Sequence, residues 1–297
     1  MTQSELPDVV EWSVPPIVVT SLDKIRHIAT LPAVAQKIMS LANDVNATAQ
    51  DINKIMTADP ALCARILKVV NSTFYGLPQQ ISSIDRAVLL LGFNAVKNIA
   101  IAASLDKLFR TSKIGPHFDA RDLWLHSIAV ATCARALAKE TRLALIDEAF
   151  LAGLIHDIGI MIEMQACRDK FVEMTEVLAS EPSLTFRQAE KRVLEETHES
   201  FGAALCRNWQ FPLKLENVVR FHHQPMLLSE ADRVLPAIIH VADILAARTG
   251  IGYTRTVETD QVDPQILNAL GLCEEDIEAV ADSLPDEILE TKQLFNM

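Results

Sequence analysis

The sequence predicts an all-α fold, and three observations carry that prediction. Apolar residues recur at i, i+3, i+4 spacing from Ser21 almost to the C-terminus. No stretch shows convincing period-two alternation, so strands have no support. Helix-start signals recur between the apolar segments: Thr48 three residues before Asp51, Asp59 directly before Pro60, and Ser82 three residues before Asp85.

Residues 1–20 carry three prolines and no helical period, which predicts an arm on the surface or partly disordered. Leu31-Pro32 opens a helix with Val34, Ile38 and Leu41 on one face, ending near Asn43. The capping box at Thr48 starts a helix that buries Ile52, Ile55 and Met56. Asp59-Pro60 starts another, carrying Leu62, Ile66, Val69 and Val70. Ser82 is expected to cap the helix that stops at Gly92, and Asn94 the one that follows. That pair has the outline of a helix-turn-helix. Lys97 is its second helix's one basic side chain before Lys107, so the pair reads as internal packing.

Residues 111–117, with Gly115-Pro116, mark the boundary to the second half. A long helix follows over 122–140, with Trp124, Ile128, Ala131 and Leu137 inward and His126 among them. Further helices are expected over 148–160, 167–178, 185–203 (with a break near His198), 213–223 and 235–249. In the third of these the stretch RQAEKRVLEE is read as exposed. The segments are therefore an arm (1–20), an N-terminal helical lobe (21–115), a helical bundle (116–255) and an acidic helical extension (256–297).

The totals limit the function. A chain of 297 residues with 49% hydrophobic residues and nine glycines can bury a substantial core. Its 27 basic and 39 acidic residues leave a net charge of −12, which argues against nucleic acid as a partner. Five cysteines without a CxxC pair fit neither a disulfide framework nor a zinc ribbon, and point to a reducing cytoplasm. The acidic segment MTQSELPDVVEW has no basic stretch leading into an apolar one, and no uninterrupted apolar run reaches the length of a membrane span, so a soluble protein is expected.

One stretch resists explanation as core. Residues 148–160, EAFLAGLIHDIGI, read as a buried helix capped by Asp147, with His156 and Asp157 at its C-terminal end. Burying an unpaired carboxylate costs roughly several kcal/mol, so something must compensate. A capping or hydrogen-bonding pair would do so, and so would a metal ion. Six histidines (His126, His156, His198, His222, His223 and His240) fall between 126 and 240, each near a helix or its end, accompanied by Asp157 and Asp243. Imidazoles mixed with carboxylates suit iron, manganese or zinc rather than magnesium or calcium. Singly each has a plain alternative: a core histidine, a helix cap, or a His240–Asp243 pair on one helical face.

The order H…HD…H…HH…D, from His126 to Asp243, resembles the HD superfamily of metal-dependent phosphohydrolases, especially the HD-GYP branch that degrades cyclic di-GMP. LPAVAQKIMSLAND, ADPALCARILKVVNSTFYG and ISSIDRAVLLLGFNAVKNIAIAASL look like the HDOD domain, a bacterial signalling relative, over about Leu22 to Gly250. The resemblance implies an HD-domain-like helical bundle with an additional N-terminal lobe. It also implies a regulatory role in bacterial signal transduction through a signalling protein partner or a small nucleotide ligand. By resemblance, His126, His156, Asp157 and Asp243 form one metal position. Asp157, also the candidate catalytic residue, bridges to a second position completed by His198, His222 and His223, and Asp122 is a possible extra ligand. The implied cofactor is a divalent transition metal, with two positions open to a dinuclear centre, iron or manganese before zinc. Two departures weigh against the rival reading, an active metal-dependent phosphodiesterase. Ile160 stands where the catalytic relatives have a lysine, and QPML follows His222-His223 in place of a GYP loop.

Overall fold

A computed structural model of the chain describes residues 12–24, 36–38, 41, 48–72, 75–105, 114–141 and 145–294, and every regular element among them is helical. The elements are α1 (Pro16–Lys24), α2 (Ala49–Thr57), α3 (Pro60–Val70), α4 (Ile84–Leu91), α5 (Phe93–Leu105), α6 (Ala120–Glu140), α7 (Ile146–Ile155) and α8 (Ile158–Ala166). They continue with α9 (Arg168–Ser180), α10 (Phe186–Val193), α11 (His198–Asn208), α12 (Leu213–Phe221), a 3-10 turn (Pro225–Leu227), α13 (Glu230–Arg248), α14 (Pro264–Leu270) and α15 (Glu274–Leu294). Of the helix expected over 31–43, only 36–38 and 41 are described; all four are helical, and Ile38 is fully buried.

Local signals set most starts. Thr48 and Asp51 form the reciprocal box at α2, and Asp59 accepts from the Leu62 N–H at α3. Several starts differ from expectation. Ser83, not Ser82, caps α4 through the Arg86 N–H, because its extended backbone directly precedes the first helical residue. The next helix begins at Phe93, so Asn94 lies inside it. Asp147 sits in the first turn of α7, where its charge favours the helix dipole, while Leu145 holds the cap position without a side-chain bond. The expected irregular arm gives way to α1 at Pro16. Proline suits a first turn, and Val18 and Ser21 turn inward against α8 and α11. Likewise α13 starts at Glu230 and runs through Pro236, which the sequence reading had placed near the helix start.

Helix α6 is the spine. It packs against α7, α13 and α15, and α8 packs against α11, α9 and α1. The N-terminal helices α2–α5 pack on one another, and α5 joins them to α7. Helix α5 is buried on most faces, from Ala95 and Val96 through Asn98 to Leu105, as internal packing requires. One hydrophobic core runs from Val18 through Phe150 and Phe171 to Ile288. Although charged residues interrupt it, Ile146–Ala166 is long and apolar enough to cross a membrane by length and composition. It forms α7 and α8 instead, with 89% of its most apolar window buried in the fold.

Candidate metal centre

The α7–α8 junction is the middle of the site. His156 takes the C-cap position of α7, and Asp157 the N-cap position of α8. Around them α6 contributes His126, the first residue of α11 is His198, the end of α12 delivers His222 and His223, and α13 carries Asp243. Two glycines permit this approach. A Cβ on Gly153 would lie 2.5 Å from the Ala131 backbone of α6, and one on Gly159 would collide with the His198 carbonyl. The first lets α7 lie against α6; the second seats α8 against the start of α11.

Asp157 divides its two oxygens between two sets of imidazoles. Oδ2 lies 3.2 Å from His156 Nε2 and 4.0 Å from His126 Nε2. Oδ1 lies 3.3 Å from His198 Nε2 and 3.5 Å from His222 Nε2. Asp243 Oδ1 adds to the first set, 2.9 Å from His126 Nε2 and 3.7 Å from His156 Nε2. His223 adds to the second, its Nε2 3.2 Å from that of His198. The structure thus brings together all seven residues singled out in the sequence. His240 stays outside: its Nδ1 donates to the His222 carbonyl at 2.8 Å. Asp122 is exposed, and its carbonyl accepts from the Tyr253 N–H at 2.9 Å.

The rings are held by their far sides. His156 Nδ1 donates to the Gly153 carbonyl at 2.7 Å, His222 Nδ1 to Val219 at 3.1 Å, and His198 Nδ1 to Glu190 at 2.8 Å. Each bond points Nε2 inward, as metal-binding histidines are commonly held. The inward atoms have little else to satisfy them. His156 Nε2, His222 Nε2 and both oxygens of Asp157 are buried without a hydrogen bond of acceptable geometry. Such groups are rare in folded proteins, and a cation among them removes the cost. The atoms of Asp157, His198, His222 and His223 lie within 4.8 Å of one another, as do those of His126, His156 and Asp157. This donor set fits a divalent transition metal.

Without a metal, the cluster's charges bind one another. Burial would raise the Asp157 carboxyl, but His156, His222 and His198 hold it well below the usual carboxylate range. Burial would lower His156, yet Asp157 and Asp243 push it up to about 9. Against burial again, Glu190, Glu199 and Asp157 push His198 up to about 10. Burial, with His222 and His198 adjacent, holds His223 well below its ordinary value.

Behind His198 lie three buried carboxyls that the sequence reading missed: Glu163, Glu190 and Glu199. Glu199 pairs with Arg187 at 2.7 Å. Burial, with Glu190 facing it, pushes Glu163 well above the carboxylate range. Glu190 had been assigned to an exposed charged stretch and is instead fully buried, on the side of α10 that carries Phe186 and Ala189. The available signal was its place on that apolar stripe.

The family model for the HDOD domain matches residues 28–225, well over half of the chain. The chain belongs to the HDOD family. An HDOD domain protein of unknown function from Geobacter sulfurreducens shares its fold with a TM-score of 0.77 and 24% identity, over 94% of this chain and 98% of that one. A protein from Marinobacter aquaeolei VT8, provisionally named a signal transduction protein, gives 0.74 and 24% over 93% and 61%. One from Shewanella amazonensis SB2B, provisionally named a metal-dependent phosphohydrolase, gives 0.64 and 22% over 94% and 98%. In sequence, an uncharacterized protein of Treponema pallidum is 26% identical over 202 residues, 68% of this chain but 38% of that protein's length.

In this HDOD chain, Ile160, three residues after Asp157, is fully buried and belongs to the core. The QPML segment has a different place. It forms the 3-10 turn that walls a cavity of about 570 Å³ beside the cluster, lined by His223, Gln224, Met226, His240, Gln261 and Val262. His223 belongs both to the cluster and to this cavity.

Proposed function

We propose that this HDOD protein acts in bacterial signal transduction, binding a small ligand or a partner protein at an HD-like, metal-loaded pocket. The observation that carries the reading is a complete buried set of imidazoles and carboxylates opening on a cavity, with an aliphatic side chain at position 160. His126, His156, Asp157 and Asp243 would hold one metal, and Asp157, His198, His222 and His223 the other, with iron or manganese favoured over zinc. Bound metals would supply Lewis acidity and an acidified water. A phosphodiester needs cationic or donor groups where charge develops, and the apolar Ile160 offers none. A signalling protein or a small nucleotide is the expected partner, in the cytoplasm, with the −12 charge set against nucleic acid.

The second reading is a working metal-dependent phosphohydrolase in which Asp157 is catalytic. It is favoured by the seven retained donors, since a pocket without metal would gain nothing from them. One preparation separates the two. Metal content is measured, and turnover of cyclic dinucleotides and simple phosphodiesters is assayed with iron or manganese. Bound metal without turnover supports the regulatory reading; turnover that disappears in Asp157→Ala supports the hydrolase.

A further inference from the structure

Glu190 is a carboxylate that hydrogen-bonds a candidate ligand from behind, nearer to His198 Nδ1 than Glu199 is at 3.6 Å. Its Oε1 lies 2.8 Å from His198 Nδ1, with Oε2 at 3.1 Å, and Oε1 also accepts from the His198 backbone N–H at 3.3 Å. The second bond replaces the missing cap of α11, because Thr197 makes no side-chain cap bond there. Ring and backbone of His198 are therefore tied to one fully buried side chain on a different helix.

We propose that Glu190 is a positioning residue for the metal position formed by Asp157, His198, His222 and His223. By accepting the Nδ1 hydrogen it fixes the tautomer and plane of His198, so that Nε2 is presented to the metal beside Asp157. A carboxylate behind a ligating imidazole also makes the ring a stronger donor, and loss of such a partner typically weakens metal binding by about 10–100-fold. An alternative use of the same atoms is a third cation among Glu190, His198 and Glu199, which also lie within 4.8 Å of one another. The geometry favours the proton. His198 Nδ1 stands at hydrogen-bond distance from Glu190, and Glu199 is already engaged by Arg187 at 2.7 Å. The inference rests on the metal reading proposed above.

The test is a manganese titration of the metal-free full chain, Glu190→Gln and Glu190→Ala. Free Mn²⁺ is counted by electron paramagnetic resonance, and the exchange-coupled signal reports a filled pair. The parent is expected to take two Mn²⁺ with a coupled signal. Glu190→Gln, which keeps the volume and an acceptor oxygen but loses the charge, should bind one ion with parental affinity and the second about tenfold more weakly. In Glu190→Ala the second loss should approach about a hundredfold, with the coupled signal gone at two equivalents. Parental affinity for both ions in Glu190→Gln overturns the proposal and leaves the metal reading intact, and this variant decides even if the alanine variant does not fold. A third parental Mn²⁺ that both variants lose overturns it in favour of Glu190 as a ligand. A parent that binds no Mn²⁺ overturns the metal reading and this inference together.

Discussion

The Cβ that Gly159 lacks would fall on the backbone carbonyl of His198 and lie 2.7 Å from the Gly202 nitrogen. Helices α8 and α11 meet at that contact. Asp157 precedes the one, and His198 opens the other. Backbone cannot swing aside as a long side chain can, so Gly159→Ala must push the helices apart. Overpacking a close-packed interior costs about 1–3 kcal/mol, occasionally more. A lower midpoint in chemical denaturation is expected, along with weaker binding of whatever metal needs both Asp157 and His198. Unchanged stability and metal content in Gly159→Ala would show that the contact relaxes freely.

Asp157 is the residue on which both halves of the cluster depend. Substitution by Asn keeps its volume but replaces a shared carboxylate by one neutral carbonyl acceptor and an amide NH2, whose hydrogens turn a cation away. Metal content, read by elemental analysis, is therefore expected to fall at both positions at once. The helical circular dichroism should persist, because the core around the junction is untouched. His198→Ala, by contrast, should empty one position and spare the other. Full metal loading in Asp157→Asn would rule out the bridging arrangement.

These contacts show which features could be read from the chain. Periodic apolar residues predicted the helices, and the reciprocal bonds of Thr48 and Asp51 are local, so a four-residue pattern was enough. Adjacent candidates were harder. Ser82 and Ser83 are equivalent as a sequence, and only the backbone direction at 83 decides which caps α4. The histidines and aspartates of the site announced themselves because buried charge is costly. Glu190 did not, since it lies in RQAEKRVLEE, where six of ten residues are formally charged and solvation is the simplest reading. Its burial follows from the docking of α10 on α9 and its facing of Glu163, packing between successive helices that the composition of one segment does not show.

The metal-free protein should lose stability on both sides of neutrality. His156 rises from an ordinary value of 6.5 to about 9, and His198 from 6.5 to about 10. Their contribution is full below pH 6.5 and is lost as pH climbs through 9 and 10. His223 runs the other way: held well below 6.5 by burial, it costs stability as pH falls through 6.5 and the unfolded ring takes a proton. Asp157 and Asp243, both held below 3.8, add a loss at more acid pH still. Urea unfolding of the metal-stripped chain between pH 5 and 10 checks the signs, and a flat alkaline arm would contradict the ion pairing. Metal must displace ring protons, so its affinity should increase with pH over the same range.

A lysine at position 160 tests why the catalytic relatives' residue is absent here. If Ile160 faced the pocket, Ile160→Lys would place an ammonium beside the cluster and could restore a phosphate contact. The native side chain is fully buried and belongs to the hydrophobic core, as do Ile158, Met161 and Ile162 of the same helix. An ammonium in that packing must either shed its proton or open the core, a cost of roughly several kcal/mol. The expected outcome is a destabilised Ile160→Lys protein with no gain in phosphodiester turnover. Differential scanning calorimetry alongside a turnover assay decides the matter: a stable variant that hydrolyses cyclic dinucleotides would mean that position 160 can reach the substrate after all, and that one substitution separates a signalling pocket from an active one.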